Sequence, residues 1–120
     1  MKRNKIYILE DDEGIRELME VILEGQGYEV GAFPNVESFK AGIGEEQPDL
    51  LIMDVWLPDG DGRNVCQQLR SQAATANIPI LMMTAQYDLP RIEGASDFIP
   101  KPFDINDLLG RIQKLLAVQA

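Results

Sequence analysis

Five side chains that could bind a divalent cation and an anionic group each follow a short apolar segment of the chain. They are the carboxylates of Asp11, Asp12 and Asp54, the hydroxyl of Thr84 and the amine of Lys101. Mg²⁺ prefers one or two carboxylates together with water and phosphate oxygens, so the aspartates suit this ion. A lysine and a hydroxyl can bind the remaining oxygens of a phosphoryl group. Because a carboxylate can form an aspartyl phosphate, the predicted chemistry is phosphoryl transfer to Asp54.

Each of these positions also has an ordinary structural explanation. Asp12 could be only a helix N-cap, Asp54 a turn acid, Thr84 a cap and Lys101 a solvated surface lysine. Their joint position, each at the end of a predicted strand, favours a shared site. Two carboxylates about 4 Å apart repel by about 4 kcal/mol near a protein surface, and a divalent cation would remove that cost.

The positioning elements are apolar runs that alternate with amphipathic stretches. Strands are predicted at 5–9, 28–33, 49–53, 78–83 and 97–99, and helices at 15–23, 36–43, 62–70 and 105–116, the last capped by Asp104. Alternating strands and helices indicate a parallel sheet with helices on both faces, and continuous apolar strands indicate a sheet buried on both sides. We predict a doubly wound α/β fold with strand order 2-1-3-4-5. The carboxyl ends of strands 1 and 3 then meet where the order reverses.

Composition excludes several classes of protein. The chain has 120 residues and no histidine, so histidine-based triads and histidine-ligated zinc are excluded. Its single cysteine, Cys66, cannot form an internal disulfide and is expected to be a small buried hydrophobe. The net charge of −9 disfavours direct binding to nucleic acid. Since no apolar run approaches the roughly 20 residues of a membrane span, and acids follow the N-terminal run, we expect a cytoplasmic protein.

The five side chains lie within motifs that can be compared with known families. The motifs are Asp11-Asp12, the segment 53–62 around Asp54, Thr84-Ala85, the segment 94–98 and Lys101-Pro102-Phe103. Together they resemble the receiver domain of bacterial response regulators, and the resemblance spans essentially the whole chain. It implies a flavodoxin-like fold and one receiver domain over residues 1–120.

The resemblance also implies roles for the acidic residues. Asp54 is similar to the residue that is phosphorylated in the family. Asp12 resembles a direct Mg²⁺ ligand, Asp11 resembles a ligand acting largely through water, and the main-chain carbonyl of Trp56 would complete the protein's share of the metal shell.

Three further positions match family features around the phosphoryl group. Thr84 and Lys101 resemble the pair that binds the phosphoryl oxygens. Phe98 matches the aromatic switch that turns inward as Thr84 moves, although packing at a strand end would explain it equally well. The Lys101–Pro102 bond is expected to be cis, as in many relatives.

The chain departs from the family pattern in two places. The segment from Thr84 to Lys101 is several residues shorter than usual, and Pro90 suits only the first turn of a helix. Helix 4 is therefore predicted to be one turn or absent, which would alter the family's usual output surface. Trp56 is a large ring at the rim of the site. It could slow the approach of water to a phosphorylated Asp54, or it could pack on the loop or meet a partner.

The expected function is that of a phosphoacceptor signalling domain. A sensor histidine kinase or a histidine phosphotransfer protein would supply the phosphoryl group to Asp54 with Mg²⁺ present. The domain would not be an enzyme in its own right, although it would assist its own phosphorylation and dephosphorylation. Its output would pass to a downstream protein or to a C-terminal output domain, with no binding to membrane.

Three other functions remain as alternatives. A receiver-fold binding module that works without phosphorylation would keep the fold but not need the five side chains. A metal-dependent phosphatase or phosphotransferase with an aspartyl nucleophile would need a capping domain or specificity loops, for which 120 residues leave no room. A flavin-binding protein of similar topology would need a phosphate-binding loop rich in Ser, Thr and Gly after strand 1, where acids stand instead.

Overall fold

A computed structural model describes residues 3–85 and 92–117 of the chain. The strands are β1 (Lys5–Leu9), β2 (Glu29–Phe33), β3 (Leu50–Asp54), β4 (Trp56–Leu57), β5 (Gly60–Asp61), β6 (Ile80–Thr84) and β7 (Asp97–Pro100). The helices in the described residues are α1 (Glu13–Gly25), α2 (Val36–Glu45), α3 (Gly62–Arg70) and α4 (Ile105–Ala117). In the described part of the chain, no helix has the length and apolar character needed to cross a membrane.

Five of the strands form a parallel sheet in the order β2-β1-β3-β6-β7. The predicted order 2-1-3-4-5 numbers only the strands of this sheet, in which β6 is the fourth and β7 the fifth, and it is confirmed. The strands β4 and β5 lie outside this sheet and pair with each other in an antiparallel hairpin. Every residue of β3 and β6 is buried. Their apolar side chains therefore face helices on both sides, which explains the continuous hydrophobic runs in the sequence.

Two apolar clusters form, one on each face of the sheet. One joins alternate strand residues such as Leu51 and Met53 to α2 and α3, and it includes Phe39, which has no exposed surface. The other joins the intervening residues, such as Ile52, to α1 and α4. Because side chains alternate across a strand, the two faces fix the register, and the register fixes which residues end each strand.

The helices begin at side chains that bind their free N–H groups. Asp12, Asn35 and Asp61 cap α1, α2 and α3, accepting hydrogen bonds from Ile15, Ser38 and Arg63 respectively. Asp104 accepts one from the N–H of Asp107 at the start of α4, as predicted. These caps place the start of each helix directly after a strand or loop at the same edge of the sheet.

The connection between β6 and β7 is only partly described. The prediction that helix 4 is one turn or absent falls largely on residues 86–91, which lie outside the described residues. Residues 92–96 form a turn with Gly94 at a φ of 91°, a value that favours glycine. The Lys101–Pro102 bond is cis, as expected.

Candidate functional site

The functional side chains converge at the carboxyl edge of the sheet. Glu10 follows β1, Asp54 is the last residue of β3, Thr84 is the last residue of β6, and Lys101 follows β7. The main-chain N–H of Lys101 donates to the carbonyl of Thr84 at 2.8 Å, which ties the ends of β6 and β7 together. Strands distant in sequence thus present acids, a hydroxyl and an amine to one place.

Lys101 lies between two carboxylates. Its Nζ donates to Glu10 Oε1 at 2.6 Å and to Asp54 Oδ2 at 2.7 Å. Burial lowers the pKa of Lys101, but the hydrogen bonds and charges of Asp54 and Glu10 outweigh it, so the net pKa lies above the usual value. The ammonium group is therefore held in its charged form next to the Asp54 carboxylate.

Glu10 is the most buried acid of the site, with no exposed surface. Burial raises the pKa of Glu10 to about 7, and the neighbouring Asp54 adds to this effect while Lys101 opposes it. Its second oxygen, Oε2, is buried and has no hydrogen-bond partner among the described residues. An acid in this state would gain from a cation placed beside it.

Glu10, Asp11 and Asp54 together fit a divalent cation. One carboxylate oxygen of each lies within 4.8 Å of the others. Asp11 is exposed whereas the other two are buried, so the group opens to solvent on one side. Oxygen donors with an open, hydrated side suit a hard ion such as Mg²⁺, and the unpartnered Glu10 Oε2 is an oxygen that such an ion could satisfy.

The structure does not bring Asp12 into this group. Asp12 is exposed, and its Oδ1 accepts the N–H of Ile15 at 2.9 Å as the N-cap of α1. The acid that lies beside Asp11 and Asp54 is Glu10, which was not among the predicted ligands. The role of Asp12 as a metal ligand stays a prediction. Because β1 ends at Leu9, the first acid after the strand turns into the site and the third starts the helix. Glu13 in the first turn of α1 is the signal that favours capping by Asp12.

The segment after Asp54 is held close to the Asp54 carboxylate. The N–H of Trp56 lies 3.4 Å from Asp54 Oδ1, and the N–H of Gly62 donates to Val55 at 2.7 Å. A Cβ atom at residue 62 would collide with the main-chain carbonyl of Asp54, so glycine allows α3 to begin directly against Asp54.

Trp56 and Phe98 differ in their surroundings. The Trp56 side chain is 52% exposed, and the guanidinium carbon of Arg63 lies 5.0 Å from its ring centroid. Phe98 is half-buried and packs against the apolar cluster beneath α2 and α3. The switch role of Phe98 stays a prediction, and this packing agrees with either explanation.

The fold and this site define the class of protein. The family model of the response regulator receiver domain matches residues 6–113. The chain belongs to this family, whose members are phosphoacceptor signalling domains, and the resemblance found in the sequence is confirmed.

Known relatives agree with this assignment. The transcriptional regulatory protein GltR of Pseudomonas aeruginosa is 40% identical over 116 residues, which are 92% of this chain and 48% of GltR. The DNA-binding dual master transcriptional regulator RpaA of Synechocystis sp. is 39% identical over 117 residues, which are 93% of this chain and 48% of RpaA. This chain therefore spans about half the length of these relatives.

A solved structure shows the same fold. The signal receiver domain of a signal transduction histidine kinase from Syntrophus aciditrophicus superposes with a TM-score of 0.88 at 33% identity. The match covers 95% of this chain and 90% of that one.

Proposed function

We propose that Asp54 accepts a phosphoryl group in a Mg²⁺-dependent reaction. The observation that carries this proposal is the pairing of the Asp54 carboxylate with Lys101 Nζ at 2.7 Å, beside oxygens of Glu10 and Asp11. One oxygen of Asp54 forms a bond to phosphorus as the bond between phosphorus and the donor's histidine nitrogen breaks. The leaving imidazole keeps that electron pair.

The metal would be held by Glu10, Asp11, Asp54 and the main-chain carbonyl of Trp56. When bound, Mg²⁺ supplies positive charge that neutralises the oxygens of the transferring phosphoryl group. This ligand set replaces the predicted Asp12 with Glu10. Asp11, the exposed member, suits contact with the ion through water.

Lys101 and Thr84 would bind the other phosphoryl oxygens. Lys101 Nζ already donates a hydrogen bond to Asp54 Oδ2, so a phosphoryl group on that carboxylate would lie next to the ammonium group. Thr84, buried at the end of β6, would donate its hydroxyl to a further oxygen, and Phe98 would respond to its movement. The domain would in this way assist its own phosphorylation and later hydrolysis without acting on a separate substrate.

The partners follow from this chemistry. A sensor histidine kinase or a histidine phosphotransfer protein would supply the phosphoryl group, and residues 1–120 would act as one receiver domain in the cytoplasm. GltR and RpaA are named as transcriptional regulators, so the output would pass to a DNA-binding domain or to a downstream protein. With a net charge of −9, the receiver itself would not bind nucleic acid.

Trp56 fluorescence tests the proposal, because this tryptophan is the single one in the chain and lies two residues from Asp54. We expect a saturable change with Mg²⁺ and a second change with beryllofluoride, a mimic of the acyl phosphate. The second change should be absent in Asp54→Asn. If the folded protein responds to neither ligand, the domain is a binding module that works without phosphorylation.

A further inference from the structure

The hairpin formed by β4 and β5, residues 56–61, joins the acceptor residue to two helices. We call it the acceptor hairpin. Trp56 pairs with Asp61, and Leu57 pairs with Gly60. Its first residue has its N–H 3.4 Å from Asp54 Oδ1, and its last residue caps α3. Any displacement of this hairpin therefore moves main-chain atoms next to the Asp54 carboxylate.

The tip of the acceptor hairpin is bound to α2 through Asp59. Oδ1 of Asp59 accepts the N–H of Val36 at 2.8 Å, and Oδ2 accepts the N–H of Glu37 at 3.0 Å. These are free N–H groups of the first turn of α2, to which a carboxylate binds favourably. A Cβ at Gly60 would lie 3.1 Å from Val36 Cγ2, so the hairpin and the helix approach closely.

The lowered pKa of Asp59 agrees with its hydrogen bonds to the first turn of α2. The hydrogen bond from Val36 is the main cause that holds the pKa of Asp59 below its usual value, and the bond from Glu37 acts in the same direction. Asp59 is therefore charged at neutral pH, as an acceptor of two main-chain hydrogen bonds should be.

A second contact holds the side of the acceptor hairpin. Arg63 pairs with Asp61 through Nη2 and Oδ2 at 2.6 Å, and its guanidinium lies over the Trp56 ring. This contact restrains the two strands at the end nearest Asp54. The pairing of β4 with β5 covers only two residues in each strand and does not include the tip. The tip is restrained instead by the two hydrogen bonds that Asp59 accepts from α2.

We propose that Asp59 is a positioning residue for the metal site. By fixing the tip of the acceptor hairpin to α2, Asp59 holds the Trp56 peptide against Asp54 in the orientation that binds Mg²⁺. This inference rests on the proposed function, since it assigns a supporting residue to the same metal site. Groups that orient metal ligands typically change metal affinity by about 10- to 100-fold when they are removed.

The chain offers a matched control for this role. Asn35 also caps α2, since its Oδ1 accepts the N–H of Ser38 at 2.8 Å, but the bond does not involve the acceptor hairpin. Asp59→Ala and Asn35→Ala both remove side-chain caps from the same helix end. Only Asp59→Ala also releases the hairpin, so the two variants separate a positioning role from a general weakening of α2.

The experiment is a calorimetric Mg²⁺ titration of the wild type, Asp59→Ala, Asp59→Asn and Asn35→Ala, with urea unfolding of each. We expect Asp59→Ala to weaken Mg²⁺ binding by about tenfold and Asn35→Ala to leave it unchanged. Asp59→Asn keeps one carbonyl acceptor, so its affinity should lie between those of Asp59→Ala and the wild type. It also serves as the test if Asp59→Ala does not fold.

Other outcomes would overturn the inference. Wild-type affinity in both Asp59 variants would show that the hairpin keeps its position without this contact, and the proposed function would still stand. Equal losses in Asp59→Ala and Asn35→Ala would assign the effect to α2 as a whole. A wild-type protein that binds no Mg²⁺ would instead contradict the proposed function itself.

Discussion

Glu10→Gln should weaken Mg²⁺ binding by about 100-fold, because it removes a buried anionic ligand from the group with Asp11 and Asp54. The amide is similar in size to the carboxylate, so the packing around residue 10 is kept. A calorimetric titration with Mg²⁺ measures the effect.

Asp12→Asn is the matched control for this variant. Asparagine is as good an N-cap as aspartate, so the bond to Ile15 and the start of α1 are retained. Binding of Mg²⁺ should be unchanged. If Asp12→Asn lost binding and Glu10→Gln kept it, the ligand originally predicted from the sequence would be right and the set based on Glu10 would be wrong.

The same Glu10→Gln variant should be more stable than the wild type in metal-free buffer at pH 8. The pKa of Glu10 rises from 4.5 to about 7 on folding, so the folded state binds more protons between these values. The stability contributed by the neutral carboxyl is fully present below pH 4.5 and is lost as the pH rises through about 7. Glutamine does not titrate, so the variant keeps this contribution to stability at pH 8.

Urea unfolding with EDTA at pH 5 and pH 8 measures this difference. At pH 8 the variant should gain on the order of 1 kcal/mol in the free energy of unfolding, and at pH 5 the gain should be smaller. An equal difference at both pH values would show that Glu10 is not the group that titrates. The acid would thus favour metal binding at the expense of the stability of the metal-free fold.

Lys101→Met should slow phosphorylation of Asp54 by about 100-fold, the effect of removing one preorganised charge from a transferring group. The stem of methionine replaces much of the buried lysine stem, whereas the charge next to Asp54 Oδ2 is lost. The rate of phosphoryl incorporation from phosphoramidate, a small donor, measures the effect without a kinase.

Lys114→Met, a change at an exposed lysine in the last turn of α4, controls for the loss of one positive charge. Its rate should equal that of the wild type. Lys101→Met should also lower the free energy of unfolding at neutral pH by about 2 kcal/mol, because two buried carboxylates lose their cation while Glu10 can take up a proton. A wild-type rate in Lys101→Met would remove Lys101 from the site.

Much of the fold could be predicted because the sheet is buried on both faces. Continuous apolar runs marked the central strands β3 and β6, which are buried throughout. The range 62–70 predicted for α3 matches the structure. The acceptor hairpin was not predicted, since its two-residue strands are interrupted by Pro58 and Asp59 and such sequences are typical of a turn.

The site was predicted in part, for a physical reason. Asp54, Thr84 and Lys101 were found because each ends a strand or directly follows one, and position alone locates such residues. The choice among the acids at 10–12 depends on which way each side chain turns after β1 ends. That direction is set by the register of β1 and by the capping of α1, and three consecutive acids carry no periodic signal of it.

The most direct test of the central claim is to locate the phosphoryl group. The wild-type protein and Asp54→Asn are incubated with phosphoramidate, with Mg²⁺ or with EDTA, and then treated with borohydride, which reduces an aspartyl phosphate to homoserine. Mass spectrometry of the peptides should find homoserine at position 54 in the wild type only, and only with Mg²⁺. A folded wild-type protein with no modified residue, or with the modification at another residue, would contradict the assignment of Asp54 as the phosphoacceptor.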